Sequence, residues 1–126
     1  MLQILVIEDS PVNMALTVAI LENAGHAVLQ ADHAVEGIEI ARREQPDLVL
    51  MDIQLPDLDG LAATRMLKSD PRTAKLPVIA LTAFAMKGDE DETRAAGCDG
   101  YVTKPIRYKE FLAEVEAVLR RRAEPA

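Results

Sequence analysis

The chain has 126 residues, 49% hydrophobic and only 3% aromatic, which suits one aliphatic-cored domain, so neither a second domain nor an attached effector is expected. Asp and Glu number 21 against 14 Lys and Arg, a formal charge of -7 that opposes the phosphate-neutralising surface direct DNA binding requires. The single cysteine, Cys98, excludes an internal disulfide and any cysteine-based metal cluster; it reads as a small buried hydrophobe and suits a reducing compartment.

Leu2 to Glu8 is a nearly continuous aliphatic run, the mark of a strand buried on both faces. Met1-Leu2-Gln3 leads into it with no basic start or small-residue cleavage site, and no later stretch approaches the roughly 20 apolar residues of a membrane helix, so a cytoplasmic protein is expected. Ser10-Pro11 then supplies an N-cap and a proline at the first helical position, and Val12, Leu16 and Ile20 recur at helical spacing until Gly25. The alternation continues with a strand over 27–31 and a helix over 34–44, a strand over 47–51 and a helix over 61–68, and a strand over 77–81 and a helix over 86–96. A fifth strand over 100–103 precedes a helix in which Phe111, Leu112, Val115, Val118 and Leu119 share one face. Five β-α units imply an α/β fold, a parallel five-stranded sheet with helices on both faces. Residues 1–122 are expected to form this domain and 123–126 a tail, Arg120-Arg121-Arg122 complementing the dipole at the end of the last helix.

Three strand ends carry charge: Glu8-Asp9, Asp52 and Lys104-Pro105. Parallel strands bring such ends to one edge, where open α/β sheets place their binding sites. A carboxylate there can be a plain N-cap, but adjacent carboxylates repel, by on the order of 4 kcal/mol per pair at about 4 Å and an effective dielectric near 20. With Asp52 as a third, a cation is the economical explanation, and oxygen-only donors with room for water point to Mg2+. Asp52, followed by the loop Ile53-Gln54-Leu55-Pro56-Asp57-Leu58-Asp59-Gly60, is free to act as a nucleophile towards phosphorus. Thr82 brings a hydroxyl to the same edge. Pro105 can lock a tight turn, a cis bond being one way, and aim the Lys104 ammonium inward.

Ile-Glu-Asp at 7–9, Leu-Met-Asp-Ile-Gln-Leu-Pro at 50–56 with Asp59-Gly60, Ala-Leu-Thr-Ala at 80–83 and Lys104-Pro105 together make the chain resemble the receiver domains of two-component response regulators, from Ile4 to about Leu119. Within that family it is similar to the short stand-alone, DivK-like regulators, particularly in Thr82-Ala83-Phe84-Ala85-Met86-Lys87-Gly88-Asp89. The resemblance implies a flavodoxin-like sheet of order 2-1-3-4-5. It also implies that Asp52 accepts a phosphoryl group from a phosphohistidine on a sensor histidine kinase or histidine phosphotransfer protein. Asp9, Asp52 and the Gln54 backbone carbonyl would hold Mg2+, with Glu8 acting through water. Lys104 would pair with a phosphoryl oxygen, Thr82 would hydrogen-bond to it, the Pro105 bond would be cis, and Tyr101 would be an aromatic switch. A downstream protein would read the face made by the fourth helix, fifth strand and fifth helix, because Thr82 opens it and Tyr101 sits within it.

Met1 lies just before the first strand, favouring a free-standing protein over a receiver fragment of a hybrid histidine kinase. Two other classes compete. A metal-dependent phosphatase with an aspartate nucleophile would usually carry an acid or base two residues on, where Gln54 stands. A flavodoxin-like binding module would need a phosphate-cradling loop where Glu8-Asp9-Ser10-Pro11 is acidic. Gln54 and Phe84 stand two residues after Asp52 and Thr82, positions that in the family flank the hydrolytic water. Phe84 cannot orient that water, so a slow self-dephosphorylating switch rather than a turnover enzyme is expected. Asp89-Glu90-Asp91-Glu92 fits the start of a helix as well as a partner patch, and His26 and His33 read as loop or surface residues.

Overall fold

The computed structural model describes residues 2–82 and 87–123. Strands β1 (Gln3–Ile7), β2 (Ala27–Ala31), β3 (Leu48–Asp52), β4 (Val78–Thr82) and β5 (Gly100–Thr103) alternate with helices α1 (Pro11–Asn23), α2 (Ala34–Glu44), α3 (Gly60–Ser69), α4 (Lys87–Ala95) and α5 (Tyr108–Ala123). All strand pairs are parallel and the sheet order is β2-β1-β3-β4-β5. The two-residue period of a strand divides the core. Ile4, Val6, Leu48, Leu50, Ile79 and Leu81 pack with Leu21 of α1 and with Phe111, Val115 and Val118 of α5. Leu5, Ile7, Val49, Met51 and Val78 pack on the opposite face with Ala34, Ile38 and Ala41 of α2 and with Ala63 and Leu67 of α3. Cys98 packs against this second cluster, and burial pushes its thiol pKa up.

Helix α1 starts as its sequence dictates. Ser10 Oγ accepts the Asn13 N–H at 3.3 Å, Pro11 occupies the first turn, and Gly25 follows the helix at φ +93°. Thr17 and Leu21 are its buried residues, while Val12 is 77% and Leu16 42% exposed. No charged residue lies between Asp9 and Glu22, so helical spacing of apolar residues fits more than one face, and packing on the sheet decides between them. No helix among the described residues is long and apolar enough to cross a membrane.

Candidate functional site

Register fixes the site. Ile7 of β1 lies opposite Met51, Asp52 of β3 lies opposite Leu81, and Thr82 of β4 lies opposite Thr103. The residues next along the chain, Glu8-Asp9 and Lys104, are therefore delivered beside Asp52. Glu8 and Asp52 are 1% and 3% exposed, whereas Asp9 faces solvent. One oxygen from each of the three carboxylates falls within 4.8 Å of the others. The Lys104 ammonium stands 2.9 Å from Glu8 Oε2 and 3.2 Å from Asp52 Oδ2.

One ammonium thus serves two buried carboxylates. Burial, followed by the neighbouring Glu8 carboxyl, pushes the Asp52 pKa up, against the pull of the Gln54 N–H and Lys104. Burial also disfavours the Lys104 ammonium, but Glu8 and Asp52 outweigh it and raise that pKa overall. Glu8 Oε1 accepts the Ser10 N–H at 3.1 Å. Glu8 Oε2, although close to Lys104, has no hydrogen-bond donor at an acceptable angle. A buried carboxyl oxygen without a well-directed hydrogen bond is under-satisfied. Three clustered carboxylates facing one ammonium, in a donor set made only of oxygens, fit a hydrated divalent cation of the Mg2+ type.

The other residues singled out in the sequence frame this cluster. Gln54 is exposed, and its N–H donates to Asp52 Oδ1 at 3.1 Å. Thr82 is buried at the end of β4, and its carbonyl accepts the Lys104 N–H at 2.7 Å, tying the two strand ends together. The Lys104–Pro105 peptide bond is cis. Tyr101 is half-buried on edge strand β5 and lines a cleft with Thr93 and Arg94 of α4 and Glu114 and Arg121 of α5. Phe84 and the rest of 83–86 lie outside the described residues.

Two contacts were not read from the sequence. Asp57, on the loop between β3 and α3, caps α2, accepting the Ala34 and Val35 N–H groups at 2.8 and 3.0 Å. His33, which reads from sequence as a loop or surface residue, has acidic neighbours: Asp32 Oδ1 lies 2.7 Å from its Nδ1 and Glu36 Oε2 3.9 Å, and the Asp32 bond raises the imidazole pKa. Gly60 was legible as part of a motif but not in its task. Its N–H donates to the Ile53 carbonyl at 2.8 Å, and a Cβ there would lie 2.1 Å from the Asp52 carbonyl oxygen. Backbone cannot yield as a flexible side chain can, so Gly60→Ala is expected to cost about 1–3 kcal/mol and to displace Asp52. Urea unfolding checks the loss, and a variant as stable as wild type would contradict the close approach.

A parallel β2-β1-β3-β4-β5 sheet with buried acids and a lysine at the C-terminal ends of its strands defines a response regulator receiver. The chain belongs to the response regulator receiver domain family, whose model matches residues 4–116, and so to two-component signalling. It is similar to the polar-differentiation response regulator DivK of Brucella anthropi, 41% identical over 116 residues, covering 92% of this chain and 94% of that protein. It also resembles the receiver domain of the sensor histidine kinase PA1611 from Pseudomonas aeruginosa PAO1, solved with a magnesium ion coordinated in the active-site cleft. Identity there is 36%, TM-score 0.82 and coverage 95% of each chain. A response regulator from Chloroflexus aurantiacus J-10-fl superposes with TM-score 0.91 at 26% identity, covering 95% of this chain and 98% of that one.

Proposed function

We propose that this receiver is a phosphorylation-dependent switch. Asp52 takes a phosphoryl group from a phosphohistidine on a sensor histidine kinase or histidine phosphotransfer protein and signals through protein contacts. The observation that carries the proposal is the buried Asp52 carboxylate, 3.2 Å from the Lys104 ammonium and within the three-carboxylate cluster at the sheet edge. An Asp52 oxygen attacks phosphorus, the P–N bond breaks, its electron pair returns to the donor imidazole, and an acyl phosphate remains on Asp52. Asp9, Asp52 and the Gln54 carbonyl would hold Mg2+, with Glu8 engaged through water. When bound, the ion supplies positive charge against the phosphoryl oxygens.

Lys104 and Thr82 then register the new group. Charge-assisted hydrogen bonds are worth about 1.5–3 kcal/mol each, so the pair approaches the roughly 5.5 kcal/mol that moves a two-state element from mostly off to mostly on. Tyr101, which lines the cleft between α4 and α5, would be the means by which α4, β5 and α5 expose or withdraw the face a downstream protein reads. The surplus of acidic residues argues against DNA as that partner.

Incubation with Mg2+ and acetyl phosphate is expected to add a single phosphoryl mass that persists and then decays slowly. Rapid multiple turnover of the donor would instead favour an aspartate-nucleophile phosphatase, and no mass gain would contradict the switch.

A further inference from the structure

Helix α2 begins without a cap of its own. His33, at its N-cap position, has extended backbone (φ -149°, ψ 164°) and makes no side-chain capping bond. The first two N–H groups are taken instead by the two carboxylate oxygens of Asp57, from a loop more than twenty residues further along the chain. Those bonds, Val35 first and Ala34 next, hold the Asp57 carboxyl below its ordinary pKa.

The same loop carries Gln54. It leaves β3 with the Ile53 N–H on the Leu81 carbonyl and the Gln54 N–H on Asp52 Oδ1, packs the half-buried Leu55 and Leu58 against the core, and reaches Asp57 after Pro56. Asp57 and Pro56 line a cleft with Asp9, Asp32 and His33, so the join to α2 lies beside the exposed carboxylate of the acidic cluster. We infer that Asp57 is a positioning residue for the metal site: by clasping the start of α2 it fixes the loop that presents the Gln54 carbonyl, and Mg2+ affinity depends on it. This rests on the Mg2+ reading given above. Mg2+ demands near-ideal octahedral geometry, and groups that orient metal ligands commonly govern affinity by 10–100-fold. A serine or asparagine at position 33 could have capped α2 locally; drawing the cap from the metal-site loop links the two.

Titration calorimetry with Mg2+ alone, at a temperature where every variant is folded, tests the clasp. Asp57→Ala is expected to weaken binding about tenfold. Loss of global stability alone would not change the affinity of molecules that remain folded. The second variant is Asp57→Ala with His33→Ser, which returns a capping hydroxyl to α2 but leaves the loop untethered. Compared with His33→Ser alone, so that loss of the imidazole cancels, it is expected to remain about tenfold weak. Binding within twofold of wild type in Asp57→Ala, or full recovery in the double variant, would overturn the clasp. A wild type that takes up no Mg2+ would overturn the metal reading and the clasp with it, whereas a wild type that binds while Asp57→Ala matches it overturns the clasp alone.

Discussion

Asp52→Asn is expected to abolish phosphate incorporation while raising the thermal stability of the Mg2+-free protein at neutral pH. The amide keeps the shape of the carboxylate and loses the nucleophile. The stability gain follows from the direction of the Asp52 shift, upward from its ordinary value near 3.8. As pH rises, the unfolded chain releases this proton before the folded one does, so wild type loses stability between the unfolded and folded pKa values and carries the full penalty above both. Asparagine never carries it, and Lys104 keeps Glu8 at 2.9 Å as a partner. Melting temperatures should favour the variant at pH 7 and converge below about pH 4, where the unfolded carboxyl itself becomes protonated. Continued labelling of the variant would remove Asp52 from its assigned role; a lower melting temperature at pH 7 would contradict the electrostatics.

Lys104→Ala acts in the opposite direction and more strongly. It strips the cation from two carboxylates that are almost wholly buried, and breaking a buried ion pair from one side costs about 3–5 kcal/mol. The folded pKa of Lys104 lies above its ordinary value near 10.5, so its contribution is fully present below that value and is lost as pH rises through the folded pKa. At pH 7 the whole contribution is therefore at stake. Proton uptake by Asp52, which its burial already favours, relieves the variant in acid, and Mg2+ should restore part of the loss at neutral pH. Urea unfolding with and without Mg2+ measures both, and a metal-free loss under about 1 kcal/mol, the scale of an exposed pair, would contradict a central role for Lys104. The variant should still take some phosphate yet show no gain in partner affinity, because the group that registers the phosphoryl is gone.

What was legible in the sequence was governed by local rules. The aliphatic runs ending in Glu8, Asp52 and Thr82 announce parallel strands buried on both faces, and parallel strands deliver their ends to one edge whatever the order of the sheet. The gathering of Glu8, Asp9, Asp52 and Lys104 could therefore be anticipated. The order β2-β1-β3-β4-β5 came from family resemblance, since each local pattern would suit other arrangements of five βα units. The buried face of α1 is not marked in the sequence, because with no charged residue before Glu22 its apolar positions fit more than one face. The Asp57 cap and the close approach of Gly60 to Asp52 join residues whose meeting depends on how the loop folds back over the sheet edge. An Asp followed by a Leu and an Asp-Gly helix start reads locally as turn chemistry alone.

Chemical mapping of the phosphorylated residue tests the central claim most directly. Wild type treated with acetyl phosphate and Mg2+, then reduced with borohydride, converts an aspartyl phosphate to homoserine at the residue that carried it. Peptide sequencing by mass spectrometry should find homoserine at position 52 alone, present with Mg2+ and lost when the ion is chelated. Homoserine at another carboxylate, or at Asp52 irrespective of Mg2+, would contradict a metal-assisted switch centred on Asp52.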